Sequence, residues 1–443
     1  MELNSVDKGW AWVIACACFW TQLTIGGILF SSGVIFSSVV NTFYVSRLEA
    51  SWPFTIGNIF AFIGVSISGL LLKLLSIRVQ VVSSCLICFF GIAFSYFSKD
   101  IYSLSILYGA LNGFGEGLVN GSSIILISQY FNKYRTIATG ILFAGLSASC
   151  MILPPLITYL IEEYGINGCF LLLSGIVLNG LPAALLYRSA PNIEKDTDDE
   201  KIESTSIDSR TSDQFSLVTK ETEKSSKIRN VIDELKQWRQ VFRYPMYYLI
   251  TISFGLFCFC YYSYLIIIVD YELDHGIEEE TSAFLITIFA AFDLLGRLTI
   301  GWFIDFKFFT LRTVSIIMFL VLGILYITLP FCVDFLSLCF SAAFSGYVDG
   351  CIFTNWIVCF TEYLPLSNLP GALGTGALLL GVISLSLPFL IGFYRDVYQS
   401  YDLLFYTFGV MQCSCAVFWI FEPFFLKLQN KITNKAAELN GRK

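Results

Sequence analysis

The sequence predicts an all-α membrane protein with twelve transmembrane helices in two six-helix halves. Three observations carry this expectation. Hydrophobic residues make up 56% of the chain and charged residues only 14%, where soluble domains carry about 25% charge. Mean hydropathy is +0.70 over 443 residues, too apolar for a surface facing water. The apolar residues also fall in repeated runs of roughly 20, the length a helix needs to cross a hydrocarbon core ~30 Å thick.

In chain order the runs cover residues 11–36, 52–72, 79–97, 103–128, 136–160 and 169–187. After a polar break come 246–269, 282–304, 313–331, 336–360, 372–394 and 403–426. The first run follows Asp7 and Lys8, is too long for a signal peptide and lacks a small-residue cleavage site, so it reads as a retained span. The expected organisation is a first half over residues 1–187, a linker over 188–244, a second half over 245–427 and a tail over 428–443. Linker residues 194–226 are rich in Ser, Thr, Asp, Glu and Lys, cannot bury enough apolar surface to fold, and are expected to be disordered. Farther on, Ile228, Val231, Ile232, Leu235, Trp238, Val241 and Phe242 recur at helical spacing among Arg229, Lys236, Arg239 and Arg243. That pattern suits either an amphipathic helix lying on the membrane or a solvent helix packed on the protein.

Basic residues near the span ends set orientation. Lys73, Arg78, Lys133, Arg135, Lys307 and Arg312 share one side with the linker and with Lys427, Lys431, Lys435, Arg442 and Lys443 of the tail. The other side holds scattered Arg47, Lys99 and Arg395 and an acidic loop of Asp270, Glu272, Asp274 and residues 278–280. Both termini and the linker are therefore expected in the cytoplasm, with the chain in the plasma membrane. Net charge is -7, concentrated in loops, and no basic stripe points to nucleic acid. Most of the 14 Cys lie in apolar runs and read as small buried hydrophobes. Cys85 and Cys88 have CxxC spacing but sit mid-span with no His nearby, which argues against a metal or redox site. The one sequon, at Asn120 and Ser122, falls inside a span, out of reach of glycosylation.

A charge at the centre of a span costs at least ~2.5–3.5 kcal/mol on insertion scales, so buried charges mark the informative positions. Glu116, Asp293, Arg297 and Asp349 qualify. Asp293 and Arg297 are one helical turn apart and can pair. Arg297 is the only basic side chain deep in a predicted span, able to grip a carboxylate with two parallel hydrogen bonds. Equally, the pair can neutralise itself and lock two helices together. Glu116 and Asp349 have no basic neighbour in sequence; they suit a proton relay, or a protonated carboxyl hydrogen-bonded to an adjacent helix. His275, the sole His, lies in the acidic loop and cannot be a membrane-buried proton carrier. With no nucleophile–base set and no metal-ligand cluster on any span, neither catalysis nor a cofactor is expected. Gly109, Gly113, Gly117 and Gly121 recur every four residues, a stripe for close helix packing first and for a hinge or widened cavity second. Gly140, Ala144 and Gly145 suggest the same on the fifth span.

Two halves of six spans around a long linker are the plan of the major facilitator superfamily. Gly301-Trp302-Phe303-Ile304-Asp305, followed by Arg312, resembles its Gly-x-x-x-Asp…Arg loop, and Gly69, Lys73 and Arg78 form a degenerate echo in the first half. Asp7-Lys8-Gly9-Trp10-Ala11-Trp12 resembles the Asp-Gly-Gly-Trp-Gly-Trp opening of the monocarboxylate transporters. Tyr130-Phe131-Asn132-Lys133-Tyr134-Arg135-Thr136-Ile137-Ala138-Thr139-Gly140 is similar to that family's signature entering helix 5. Asp293-Leu294-Leu295-Gly296-Arg297 is similar to its Asp-x-x-x-Arg in helix 8. Lys8 replaces a Gly of the pattern and Tyr134 a basic residue.

The resemblance implies alternating access, a central site between the halves, and Arg297 beside Asp293 meeting a substrate carboxylate. The implied partners are a small organic anion or amino-acid-like substrate, protons, the bilayer and a single-span accessory glycoprotein. The family's proton-coupled lactate carriers place a Lys in helix 1, where alignment through Phe30-Ser31-Ser32-Gly33 puts Ser32. Ser32 is thus a further candidate substrate contact, and helix 1 offers no proton site. Members without that Lys carry thyroid hormone, aromatic amino acids, creatine or other solutes. A carrier of monocarboxylates is the first expectation, and facilitated diffusion of aromatic amino acids or related solutes the alternative. A solute sensor on the same fold is the third; the two-half plan argues against a channel.

Overall fold

The computed structural model describes residues 6–189 apart from 31 and 46, then 238–274, 279–332, 334–386, 390, 393, 394, 398 and 400–440. The described residues form helices without strands. The first half comprises α1 (residues 10–30 and 32–43), α2 (Arg47–Leu71), α3 (Ile77–Ser95), α4 (101–130), α5 (135–164) and α6 (166–185). The second comprises α7 (Pro245–Asp274), α8 (Glu279–Asp305), α9 (Leu311–Thr328), α10 (Phe335–Tyr363), α11 (Leu369–Ser384) and α12 (Asp402–Ile420), followed by α13 (Glu422–Asn440).

Nine helices among the described residues are long and apolar enough to cross a membrane. One of them, residues 135–185, is two spans, α5 and α6, joined at Gly165, whose φ of 68° favours glycine. α1 and α4 are each interrupted by a π-helical stretch, Gln22–Gly26 and Ser105–Asn112, and counting them brings the spans to twelve. Odd-numbered spans start, and even-numbered spans end, on the face that also carries Asp7 and α13; we call it the terminal face.

Several boundaries depart from the sequence expectation, two of them in the second half where they change how the ends pack. The last run does not continue to residue 426: α12 stops at Ile420 and α13 begins at Glu422. Pro423 sits in the first turn of α13, where its missing N–H leaves no bond unmade. Gln429 then accepts from the Met246 N–H (3.3 Å) and donates to the Tyr363 carbonyl (2.8 Å), which docks α13 on the ends of α7 and α10. At the opposite face α7 runs on to Asp274, so Glu272, expected in a solvent loop, is helical and buried near Tyr264 and Cys339.

Glycines set the helix spacing, because lipid supplies no hydrophobic drive and close backbone contact must hold the helices together. A Cβ on Gly109, Gly113 or Gly117 would strike the carbonyls of Pro53, Gly57 or Ala61 on α2, and one on Gly121 would strike Ser68. That stripe is packing. The second half repeats it: Gly296, Gly346 and Gly350 press on the carbonyls of Tyr347, Phe289 and Asp293, joining α8 to α10. In the linker, Trp238 lies against Gly371 and Gly374 of α11, and Val241 has no exposed surface. The described end of the amphipathic segment therefore packs on protein. Residues 190–237 and His275 lie outside the described residues.

Candidate functional site

Two buried charges of the second half, Asp293 and Arg297, lie where α8 faces α5 of the first. Asp293 and Arg297 are one turn apart, and the guanidinium leans back toward the start of its helix, as helical side chains do. Arg297 Nε donates to Asp293 Oδ2 at 2.8 Å, and Arg297 is 0% exposed. Asp293 Oδ2 also accepts a hydrogen bond from the Ser147 hydroxyl of α5. The guanidinium carbon stands 4.6 Å from the ring centre of Phe353 on α10 and 5.8 Å from that of Phe143 on α5. Two ring faces thus offset part of the cost of burying the cation. Arg297 Nη1 and Nη2 and Asp293 Oδ1 are buried with no hydrogen-bond partner among the described residues. Four side chains from three helices enclose one cation whose outer edge is unused.

The remaining sequence candidates are not all brought to this point. Asp349 on α10 has no exposed surface and neither carboxylate oxygen has a hydrogen-bond partner among the described residues. It is within electrostatic reach of Asp293 and Arg297, and of Tyr261, Tyr264, Tyr326, Cys258 and Cys260 in the interior of its own half. Glu116 belongs to the first half, on α4, and shares two neighbours with Arg297: Cys150 of α5 and Tyr262 of α7. Ser32 is on the second segment of α1, and its side chain lies outside the described residues. Sequence reasoning missed Phe143, Ser147 and Phe353. A Phe or Ser in an apolar run carries no mark, and only offsets of three residues (Phe143 from Gly140, Phe353 from Gly350) and seven (Ser147 from Gly140) set them on the glycine-lined helix seams.

Below the charges, toward the terminal face, the sequence motifs prove to be parts of one joint. The Asp7 carboxylate accepts from the backbone N–H groups of Asn132 (3.0 Å), Lys133 (3.0 Å) and Tyr134 (3.2 Å), just ahead of α5. Trp12 meets Phe131 edge-on, ring centres 5.0 Å apart. Asp305, from the other half, accepts from two donors in the first turn of α5, Thr136 N–H (3.3 Å) and Ile137 N–H (3.0 Å). Carboxylates suit this place, since a helix start exposes unpaired N–H groups and a partial positive charge. Gly140 and Gly301 let α5 and α8 touch backbone to backbone, against the Arg297 carbonyl and Ile137 respectively. A second seam joins α2 to α11, where the Ser66 hydroxyl donates to the Gly374 carbonyl at 2.7 Å.

Comparison with known proteins agrees with this architecture. The chain is 25% identical to human Monocarboxylate transporter 12, over 91% of this chain and 78% of that protein. It is 24% identical to human Monocarboxylate transporter 2 (94% of this chain, 85% of that one) and 23% identical to Monocarboxylate transporter 9 of Gallus gallus (91% and 90%). The solved structure of XylE, a proton:xylose symporter bound to 6-bromo-6-deoxy-D-glucose, matches with a TM-score of 0.69 at 15% identity, covering 92% of this chain and 95% of that one. At that identity the likeness concerns the fold. The sequence model of the Major Facilitator Superfamily matches residues 18–330, well over half of the chain. The protein belongs to the major facilitator superfamily, as a multi-pass membrane transporter of small solutes rather than an enzyme.

Proposed function

We propose that the chain carries small organic anions, monocarboxylates foremost, across the plasma membrane by alternating access, with Arg297 as the carboxylate anchor. One observation carries this reading: a fully buried guanidinium binds Asp293 through Nε, and Nη1 and Nη2 have no hydrogen-bond partner among the described residues. A carboxylate accepts two parallel bonds from such an edge. The other half reaches this pair through Phe143, beside the guanidinium, and Ser147, bonded to Asp293. Parting α5 from α8 would uncover the cation, so site and gate share residues. The moving bodies are residues 1–187 and 245–427, linked by 188–244. Asp293 orients the guanidinium, Ser32 remains a candidate contact from α1, and where uptake is coupled to a proton, Glu116 or Asp349 is the buried carboxylate to take it. An accessory glycoprotein rests on the family resemblance alone.

A second reading is favoured by the rings around Arg297. Phe353 contacts Phe143, Phe254, Phe257 and Tyr261 with ring centres 5.1, 5.6, 6.4 and 6.1 Å apart. Such a box suits an aromatic amino acid moved by facilitated diffusion without protons.

Tracer uptake over a panel of monocarboxylates and amino acids, measured beside surface expression, tests the anchor. Arg297→Ala is expected to cost ~2–5 kcal/mol, thirtyfold to several thousandfold in apparent affinity. Arg297→Lys should recover little, because a point charge cannot replace the planar fork. If the pair only braces the helices, Arg297→Ala fails at expression and a double neutral variant of Asp293 and Arg297 transports normally, which sinks the binding role. The termini and linker are placed in the cytoplasm by the basic-residue bias; access of an extracellular protease to the linker in intact cells would refute that placement.

A further inference from the structure

The first half carries its own row of polar side chains on α4, two of them buried. Asn112, Glu116 and Asn120 recur every four residues along α4 and so share one face. Gln22, in the π-helical stretch of α1, donates to the Asn120 side-chain oxygen at 3.4 Å. Glu116 is 8% exposed, and its Oε2 has no hydrogen-bond partner among the described residues. Asn112 is fully buried and neither of its amide atoms has one. Cys150 lies within electrostatic reach of Glu116, Asp293 and Arg297 together, and Tyr262 within reach of Glu116 and Arg297. Tyr262 itself packs edge-on against Phe62 of the first half, ring centres 6.4 Å apart. A thiol on α5 and a ring on α7 are therefore each within reach of a buried anion of one half and a buried cation of the other.

We infer that Glu116 receives the cationic nitrogen of a dipolar substrate whose carboxylate is held by Arg297. This role for Glu116 rests on Arg297 acting as the carboxylate anchor. A buried carboxylate is costly unless a positive charge accompanies it. Arg297 belongs to the other half and is already bonded to Asp293, so Glu116 draws its partner from the ligand. A ligand with one charge of each sign satisfies both walls at once and needs no separate proton. It also ties the two halves together, which favours the state in which they close around it. A simple monocarboxylate satisfies only the Arg297 wall and sets its apolar tail against Glu116.

The experiment compares matched acids that differ by one ammonium group, phenylalanine with 3-phenylpropionate and 4-aminobutyrate with butyrate. The purified full chain in proteoliposomes supplies uptake, and thermal shifts in detergent supply binding. The dipolar member of a pair is expected to be preferred by at least about thirtyfold, the lower bound for a buried charge pair. Glu116→Gln should collapse that ratio toward one, and Glu116→Asp should recover part of it. Should Glu116→Gln fold poorly, the ratio of thermal shifts in the unaltered protein still decides. Equal handling of both members overturns the assignment. So does uptake of the simple acid driven by a proton gradient and abolished in Glu116→Gln, which would make Glu116 a proton site. Uptake of neutral solutes with no acid of either kind removes the Arg297 anchor itself, a failure distinct from that of Glu116.

Discussion

The halves meet on the terminal face along two seams that the internal repeat makes equivalent, α5 with α8 and α2 with α11, and the two are built from different chemistry. At α5–α8 a carboxylate latches a helix start: Asp305, four residues after Gly301, accepts from Thr136 and Ile137. At α2–α11 the residue four after Gly69 is Lys73. A cation cannot cap a helix start, and α11 opens with Pro370, which has no N–H to cap. That seam closes by contact. A Cβ on Gly69 would lie 2.7 Å from the Pro370 Cβ, Ser66 bonds the Gly374 carbonyl, and Trp238 covers Gly374. The carboxylate latch thus lies on the seam that continues inward to Ser147, Asp293 and Arg297. In the proposed mechanism ligand charge at Arg297 acts on the latch at α5–α8, whereas the α2–α11 contacts on Gly69 and Gly374 are set by shape.

The comparison breaks first at Gly140. Gly140→Leu drives a side chain into the Arg297 carbonyl, and overpacking of this kind costs ~1–3 kcal/mol or more. The melting midpoint in detergent should fall sharply, while Gly175→Ala, with nothing within 4 Å of its Cβ, should leave it nearly unchanged. Similar midpoints for both would mean the seam is loose.

Asp305 and Asp7 sharpen it. Asp305 caps the start of α5 and Asp7 holds the turn just ahead of it; losing such a carboxylate costs ~0.5–2 kcal/mol. Asp7 stays within its half, so Asp7→Ala should lower the midpoint without altering uptake per surface copy. Asp305 spans the halves, so Asp305→Ala should lower the midpoint equally and also change the uptake rate. Identical transport by the two variants would show that no latch exists. The smallest effect is expected on the contact-built seam. Ser66→Ala removes a hydroxyl that donates to Gly374 and Phe62 carbonyls, at about 0.5–1.5 kcal/mol, and uptake should change less than in Asp305→Ala. A larger change in uptake would move the gate to α2–α11.

How much of this was legible in the chain differs from residue to residue. Asp293 and Arg297 were visible because charge in an apolar run is conspicuous and one-turn spacing fixes their common face. The Asp7 and Tyr130–Gly140 motifs were visible as separate strings. That they are one joint was not, since 125 residues separate Asp7 from Asn132 and only folding brings the carboxylate to those N–H groups. Trp238 read equally well as facing lipid or protein, and Gly371 and Gly374 decided between them.

The sequence by itself determined the solvent, the number of spans and the half-and-half plan, because hydrophobic run length is a local property measured against a bilayer of fixed thickness. It also determined which side chains carry charge into that bilayer. Only the tertiary structure decided what those charges meet: Ser147 and Phe143 over the Asp293–Arg297 pair, tyrosines around Asp349, Cys150 and Tyr262 beside Glu116. These neighbours come from other helices, at close approaches set by glycine against carbonyl, and no spacing along one strand of sequence encodes a distance between two.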